Sequence, residues 1–191
     1  MQSKKIAITG GIGSGKSRLC DIFRSMGYPV FSCDDISRQL WQEREYRAAL
    51  AALFPTCVRE GEVDRTLLSS LVFSDVEARK KLENFSHPRI LERLLADMGG
   101  GKIVFAEVPL LFEGGYEGLF DGIVVLLRDP RERIRSVQLR DGLTEEEIRA
   151  RMSAQIDVDA LKDKDVIIIR NDGSTEDLRK EAEALLRSLK D

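Results

Sequence analysis

The sequence predicts an α/β fold of three layers, α/β/α, around a central, mainly parallel five-stranded sheet. Short runs rich in β-branched residues at 6–8, 30–31, 103–105, 123–127 and 166–169 read as buried strands. Longer amphipathic segments alternate with them, and that alternation builds a parallel sheet covered on both faces. A glycine-rich turn joins the first run to the first helical segment, where an α/β sheet places its ligand site.

Each element has a local reason. Residues 16–26 put Leu19, Ile22, Phe23 and Met26 on one helical face, and Gly27 can close that helix in the left-handed conformation. Thr144 to Glu147 and Ser174 to Asp177 have the capping-box pattern that starts helices. From about 60 to 98 the strand rhythm stops. Residues 59–63 read as a tight turn, Ser74 and Asp75 suit a helix start, and Pro88 marks a boundary or kink. We expect here a helical insertion within a single domain, held by packing on the sheet. The segment from about 131 to 155 reads as helix, turn at Asp141-Gly142, helix, and with Arg128 it is dense in arginine. Trp41, Phe54, Phe73 and Phe85 read as core.

Composition narrows the function. With 191 residues, 30 basic against 33 acidic side chains and a net charge of −3, the chain suits one domain and lacks the basic excess of a dedicated nucleic-acid binder. No apolar run approaches the roughly 20 residues of a membrane span, and residues 1–9 are too short for a signal-peptide core. Cys20, Cys33 and Cys57 share no metal or redox spacing and read as reduced thiols, so a cytoplasmic protein is expected; a monomer or weak oligomer without nucleic-acid or membrane partners is the expectation beside it. One histidine, His87, excludes chemistry that needs two.

Residues 10–17, GGIGSGKS, fit G-x-x-x-x-G-K-[ST] between a strand and a periodic helix. The glycines let successive backbone N–H groups of Gly11, Ile12, Gly13, Ser14 and Gly15 face phosphate oxygens, and the helix start at Lys16, Ser17 and Arg18 adds its positive end. Lys16 supplies a point charge between the β- and γ-phosphates, and Ser17 offers a hydroxyl to Mg²⁺. The fold is therefore expected to be that of a P-loop NTPase with ATP as the nucleotide. No N-K-x-D guanine motif is present, and the strand at 103–106 ends in Glu107 instead of the Asp-Glu of motor ATPases. A small-molecule kinase remains. Asp34, just past the second strand, suits a proton acceptor or a Mg²⁺ organiser; equally, it suits the N-cap of a helix beginning at Asp35-Ile36.

With these motifs the chain resembles the dephospho-CoA kinase family over nearly its whole length. The resemblance is carried by AITGGIGSGKS, Cys33-Asp34, Asp64-Arg65, His87-Pro88, the string Val108 to Glu113, Arg140-Asp141, Arg151 with Gln155, and Asn171 to Gly173. It implies a helical acceptor-binding insertion, a helical lid, and transfer of phosphate from ATP to the ribose 3′-hydroxyl of dephospho-CoA, with Mg²⁺. It assigns Asp34 as base, with Thr9, Arg65, His87, Leu110, Leu111 and Glu113 on the acceptor side. Arg140 becomes a lid residue stabilising the transferred group, while Asn171 and Gly173 lie where the family places adenine. Departures are Ser32 for the family's usual first Asp, Ser136 where the lid often has Arg, and Glu107 where many members have Asp or an apolar residue. The rival readings are another P-loop kinase, such as one acting on nucleoside monophosphates, and a non-catalytic ATP-binding switch.

Overall fold

The computed structural model describes residues 3–155, 161 and 165–190. The chain opens with β1 (Lys4–Thr9), α1 (Lys16–Ser25) and β2 (Val30–Ser32). Then come α2 (Cys33–Leu40), α3 (Arg44–Leu53), β3 (Val58–Arg59), β4 (Glu62–Val63), α4 (Arg65–Ser74) and α5 (Val76–Asp97). It continues through β5 (Ile103–Glu107), β6 (Gly122–Leu127), α6 (Pro130–Asp141), α7 (Glu145–Ser153), β7 (Ile167–Arg170) and α8 (Thr175–Lys190). Among the described residues no helix is long and apolar enough to cross a membrane.

Five strands form one sheet in the order β2-β5-β1-β6-β7, and β1 pairs in parallel with β5 and β6 on its two sides. β1 is thus central, and the chain leaves its carboxyl end where the strand order reverses, the crevice in which α/β sheets bind ligands. Ile6, Ile8, Phe105, Val124 and Leu126 bury one face of the sheet under Leu19 and Phe23 of α1 and Leu178, Leu185 and Leu186 of α8. The rings of Phe23 and Phe105 stack with centroids 4.0 Å apart. Phe23→Ala therefore leaves a cavity under the central strands and is expected to lower unfolding free energy by about 3–5 kcal/mol, read from urea midpoints at constant m-value. α6 and α7 share a small core of Ile134, Val137 and Ile148, against which Ile12 of the glycine-rich loop packs.

Helix ends follow the local chemistry. Gly27 closes α1 at φ 84°, Thr144 and Glu147 form a reciprocal capping box, and Ser174 and Asp177 exchange bonds at the start of α8. Residues 58–63 are a two-stranded hairpin turning through Glu60 and Gly61, both at positive φ. Asp75 caps α5 through the N–H groups of Glu77 and Ala78.

The chain divides into two compact units, Met1–Phe31 with Met98–Asp191, and Ser32–Asp97. The helical insertion expected over about 60–98 falls inside the second, which begins earlier and takes in α2 and α3. Within it α5 packs on α2 and α4, α3 packs on β4, and Leu50 and Leu94 are fully buried. Its helices hold one another. Pro88 does not divide the segment: α5 runs through it for 22 residues. The proline has no N–H to give to the Asn84 carbonyl one turn back, while the Arg89 guanidinium donates to the Phe85 carbonyl at 2.7 Å. Phe54 is core as expected, but Phe73 is 88% exposed, because it points away from the face that buries Leu68.

Candidate active site

In the first unit the loop after β1 is shaped by glycine. Gly13 sits at φ 76° with its Hα against the Arg133 carbonyl; a Cβ there would lie 2.6 Å from that oxygen. Gly15, at φ 96°, is the N-cap of α1 and brings no side-chain oxygen to the helix start. The N–H groups of the first turn of α1 therefore have no side-chain cap and keep their positive end for an anion. Lys16 folds back into the loop, its Nζ donating to Gly10 O at 2.8 Å and Gly11 O at 3.3 Å. Burial pushes its pKa down; Glu107 opposes this, and Arg133 and Arg140 add to it. A triphosphate would relieve both effects by giving the ammonium an anionic partner. The buried Ser14 hydroxyl has no partner among the described residues.

Several side chains brace this loop. Asn171, 3% exposed after β7, donates from Nδ2 to Ser14 O at 2.8 Å. Its amide nitrogen thereby braces the backbone of the phosphate loop. Gln155 accepts from Ile12 N at 2.8 Å, and Arg133 Nε donates to Ile12 O at 2.8 Å. Ser136, which stands where the family often has arginine, accepts from Arg128 Nη1 at 2.7 Å. Arg128 thus brings a guanidinium behind Gly13, whose carbonyl lies 3.5 Å from the same nitrogen. Arg140 is exposed on α6, held by Asp141 through two 2.7 Å bonds. That bond raises its pKa, with Glu107 contributing, so it stays a cation.

Glu107 was read from sequence only as a strand end. It lies beside the loop because β5 pairs with β1, and Ser17 Oγ donates to its Oε1 at 3.3 Å. A carboxylate ending the strand next to the phosphate-loop strand is the signal that points to it. Burial, with the same carboxylate second, pushes the Cys20 thiol up to about 12. Because the folded value lies above the ordinary 9.0, this thiol contributes stability below pH 9 that is lost as pH rises toward 12. Unfolding midpoints at pH 8 and 10.5 should differ more in the native sequence than in Cys20→Ala.

The string after β5 divides into support and surface. Leu111 is fully buried and anchors the string by packing, while Leu110 is 38% exposed and Glu113 is exposed. Thr9 is buried, its hydroxyl 3.5 Å from Pro109 O, where it ties the string to β1. A cleft lies here beside Gly10 and Gly11, walled by Pro109, Phe112, Glu113 and Gln155. Arg18 and Gly173 are exposed, the latter at the turn into α8.

In the second unit Ser32 is the N-cap of α2, its Oγ accepting from Asp34 N at 3.2 Å. Capping is therefore done by the serine, and the exposed Asp34 carboxylate in the first turn is not used for it. Asp35 pairs with Arg38. Arg65 opens α4 after its cap Asp64, and its guanidinium lies 4.3 Å from the centroid of the Trp41 ring. His87 is half-buried on α5. The structure thus gathers the loop, Lys16, Ser17, Arg140 and Asn171 in one unit, and Asp34, Arg65 and His87 in the other.

A loop of this shape at the switch point of a parallel sheet, overhung by an arginine-bearing helical pair, defines a P-loop kinase of small molecules. The dephospho-CoA kinase family model matches residues 4–177. A dephospho-CoA kinase of Thermus thermophilus is 39% identical over 186 residues, covering 96% of this chain and 91% of its own. A solved Thermus thermophilus structure aligns with a TM-score of 0.85 at 38% identity over 99% of both chains. The structure of dephospho-CoA kinase from Campylobacter jejuni aligns with a TM-score of 0.73 at 31% identity over 98% of both. The chain belongs to the dephospho-CoA kinase family.

Proposed function

We propose that this chain transfers the γ-phosphoryl group of ATP to the ribose 3′-hydroxyl of dephospho-CoA, giving coenzyme A and ADP, with Asp34 accepting the hydroxyl proton. The family's reaction is ATP-dependent phosphorylation of dephospho-CoA, and membership over 4–177 supports it here. The observation that carries the catalytic assignment is the unoccupied-by-side-chain helix start at Gly15 beside the inward-folded Lys16. Backbone N–H groups and Lys16 hold the triphosphate; Arg140 meets charge spreading over the equatorial oxygens. Arg65 and His87 bind the acceptor. Closure of α6 and α7, coupled to the loop through Ile12, Arg133 and Gln155, excludes water that would hydrolyse ATP.

Magnesium fits Ser17 and Glu107: hydroxyl and carboxylate are the hard oxygen donors it takes, and it needs few from protein. When bound, it neutralises charge on the β- and γ-oxygens. Three cysteines that share no metal-ligand or redox spacing support a cytoplasmic location.

The test is an acceptor screen. Purified protein with ATP is offered dephospho-CoA, AMP, CMP, UMP or dTMP, and products are separated by chromatography. Coenzyme A alone is expected. Phosphorylation of a nucleoside monophosphate in preference to dephospho-CoA transfers the site to another small-molecule kinase, and slow hydrolysis with no phosphorylated product makes it a switch.

A further inference from the structure

We propose that Trp41 is a positioning residue for the acceptor, holding the Arg65 guanidinium as a fixed cation set to grip the acceptor's diphosphate; this rests on the assignment of Asp34 and Arg65 above. Trp41 follows Asp34 by seven residues and keeps right-handed helical angles at the end of α2. Seven residues turn a helix to within about 20° of the starting face and advance it about 10 Å. Asp34 and Trp41 therefore lie on one face of α2, two turns apart. In dephospho-CoA the reacting 3′-hydroxyl and the 5′-diphosphate share one ribose, so a cation stacked on the Asp34 face of α2 is set to meet the diphosphate while the hydroxyl meets Asp34.

Trp41 is itself held from two sides. Arg47 Nη1 donates to the carbonyls of Trp41 at 3.1 Å and Gln42 at 2.8 Å, and its Nε lies 3.7 Å from Glu62 Oε2. The Tyr46 ring meets the indole edge-on at 6.1 Å, and Tyr46 is buried, with its hydroxyl donating to Ser86 Oγ at 2.9 Å. Ser86 adjoins His87, so one chain of contacts sets both acceptor residues. Without the indole, the exposed arginine would sample many rotamers and lose them on binding.

The test is a double-mutant cycle in steady-state kinetics, with dephospho-CoA and ATP varied separately. Trp41→Leu should raise the acceptor KM about tenfold, leaving kcat and the ATP KM within about twofold. Trp41→Phe keeps a ring face and should stay within about threefold of the native value. Trp41→Leu should add nothing in the Arg65→Ala background, since the tryptophan acts through the arginine. Independent multiplication of the two effects, or an unchanged acceptor KM in Trp41→Leu beside a raised one in Arg65→Ala, overturns the role of Trp41 alone. An unchanged acceptor KM in Arg65→Ala overturns the acceptor assignment beneath it. Should Trp41→Leu fail to fold, fluorescence decides, because Trp41 is the single tryptophan. Its emission, excited at the red edge, should change on titration with dephospho-CoA in the native protein and not in Arg65→Ala; an unresponsive native protein overturns the proposal.

Discussion

Asp34→Asn should reduce kcat with dephospho-CoA by about 10³-fold while leaving the ATP dissociation constant within about twofold. The substitution keeps size and hydrogen-bonding reach, and it spares the fold because Ser32 caps α2. Only the capacity to accept a proton is removed. Calorimetry for ATP and a coupled ADP assay for turnover separate the two effects. Turnover within tenfold of the native enzyme would take the base role away from Asp34 and leave it as a residue that merely orients the acceptor.

Lys16→Ala should reduce kcat/KM for ATP by about 10²–10³-fold. Lys16 is already seated, bonded to Gly10 O and Gly11 O inside the loop, so its charge needs little reorganisation to meet the β- and γ-oxygens. Burial pushes its pKa down, and anionic phosphate oxygens oppose that shift, which makes them its natural partner. Lys16→Arg should not restore activity, since a planar guanidinium cannot replace a compact ammonium in a loop this tight. Stopped-flow measurement of ATP binding beside single-turnover chemistry distinguishes lost affinity from lost catalysis. Recovery of native turnover in Lys16→Arg would show that charge alone, and not its seat, matters.

The parts legible in the sequence are those written by near neighbours. Helix ends were found because Thr144 and Glu147, or Ser174 and Asp177, satisfy backbone groups three residues away. The phosphate loop was found because its geometry is built by consecutive residues. By contrast, Pro88 reads as a boundary or kink, yet α5 runs through it for 22 residues. Phe73 looked like core, since hydrophobicity says nothing of which way a residue faces at the end of a helix. The bond from the Asn171 amide to Ser14 O joins residues 157 apart in sequence, and local spacing gives no sign of it.

By itself the sequence determined the α/β class, the nucleotide loop, the helix caps and the family, all of which depend on spacing along the chain or on many positions in concert. The tertiary structure decided the rest. Pairing of β5 with β1 brought Glu107 to Ser17, the packing of Ile12 on α6 and α7 tied that helical pair to the loop, and the stacking of Arg65 on Trp41 gave an exposed cation a fixed place. These contacts join residues far apart in the chain, and their energies exist only once the sheet order and helix packing have brought the groups within a few ångströms.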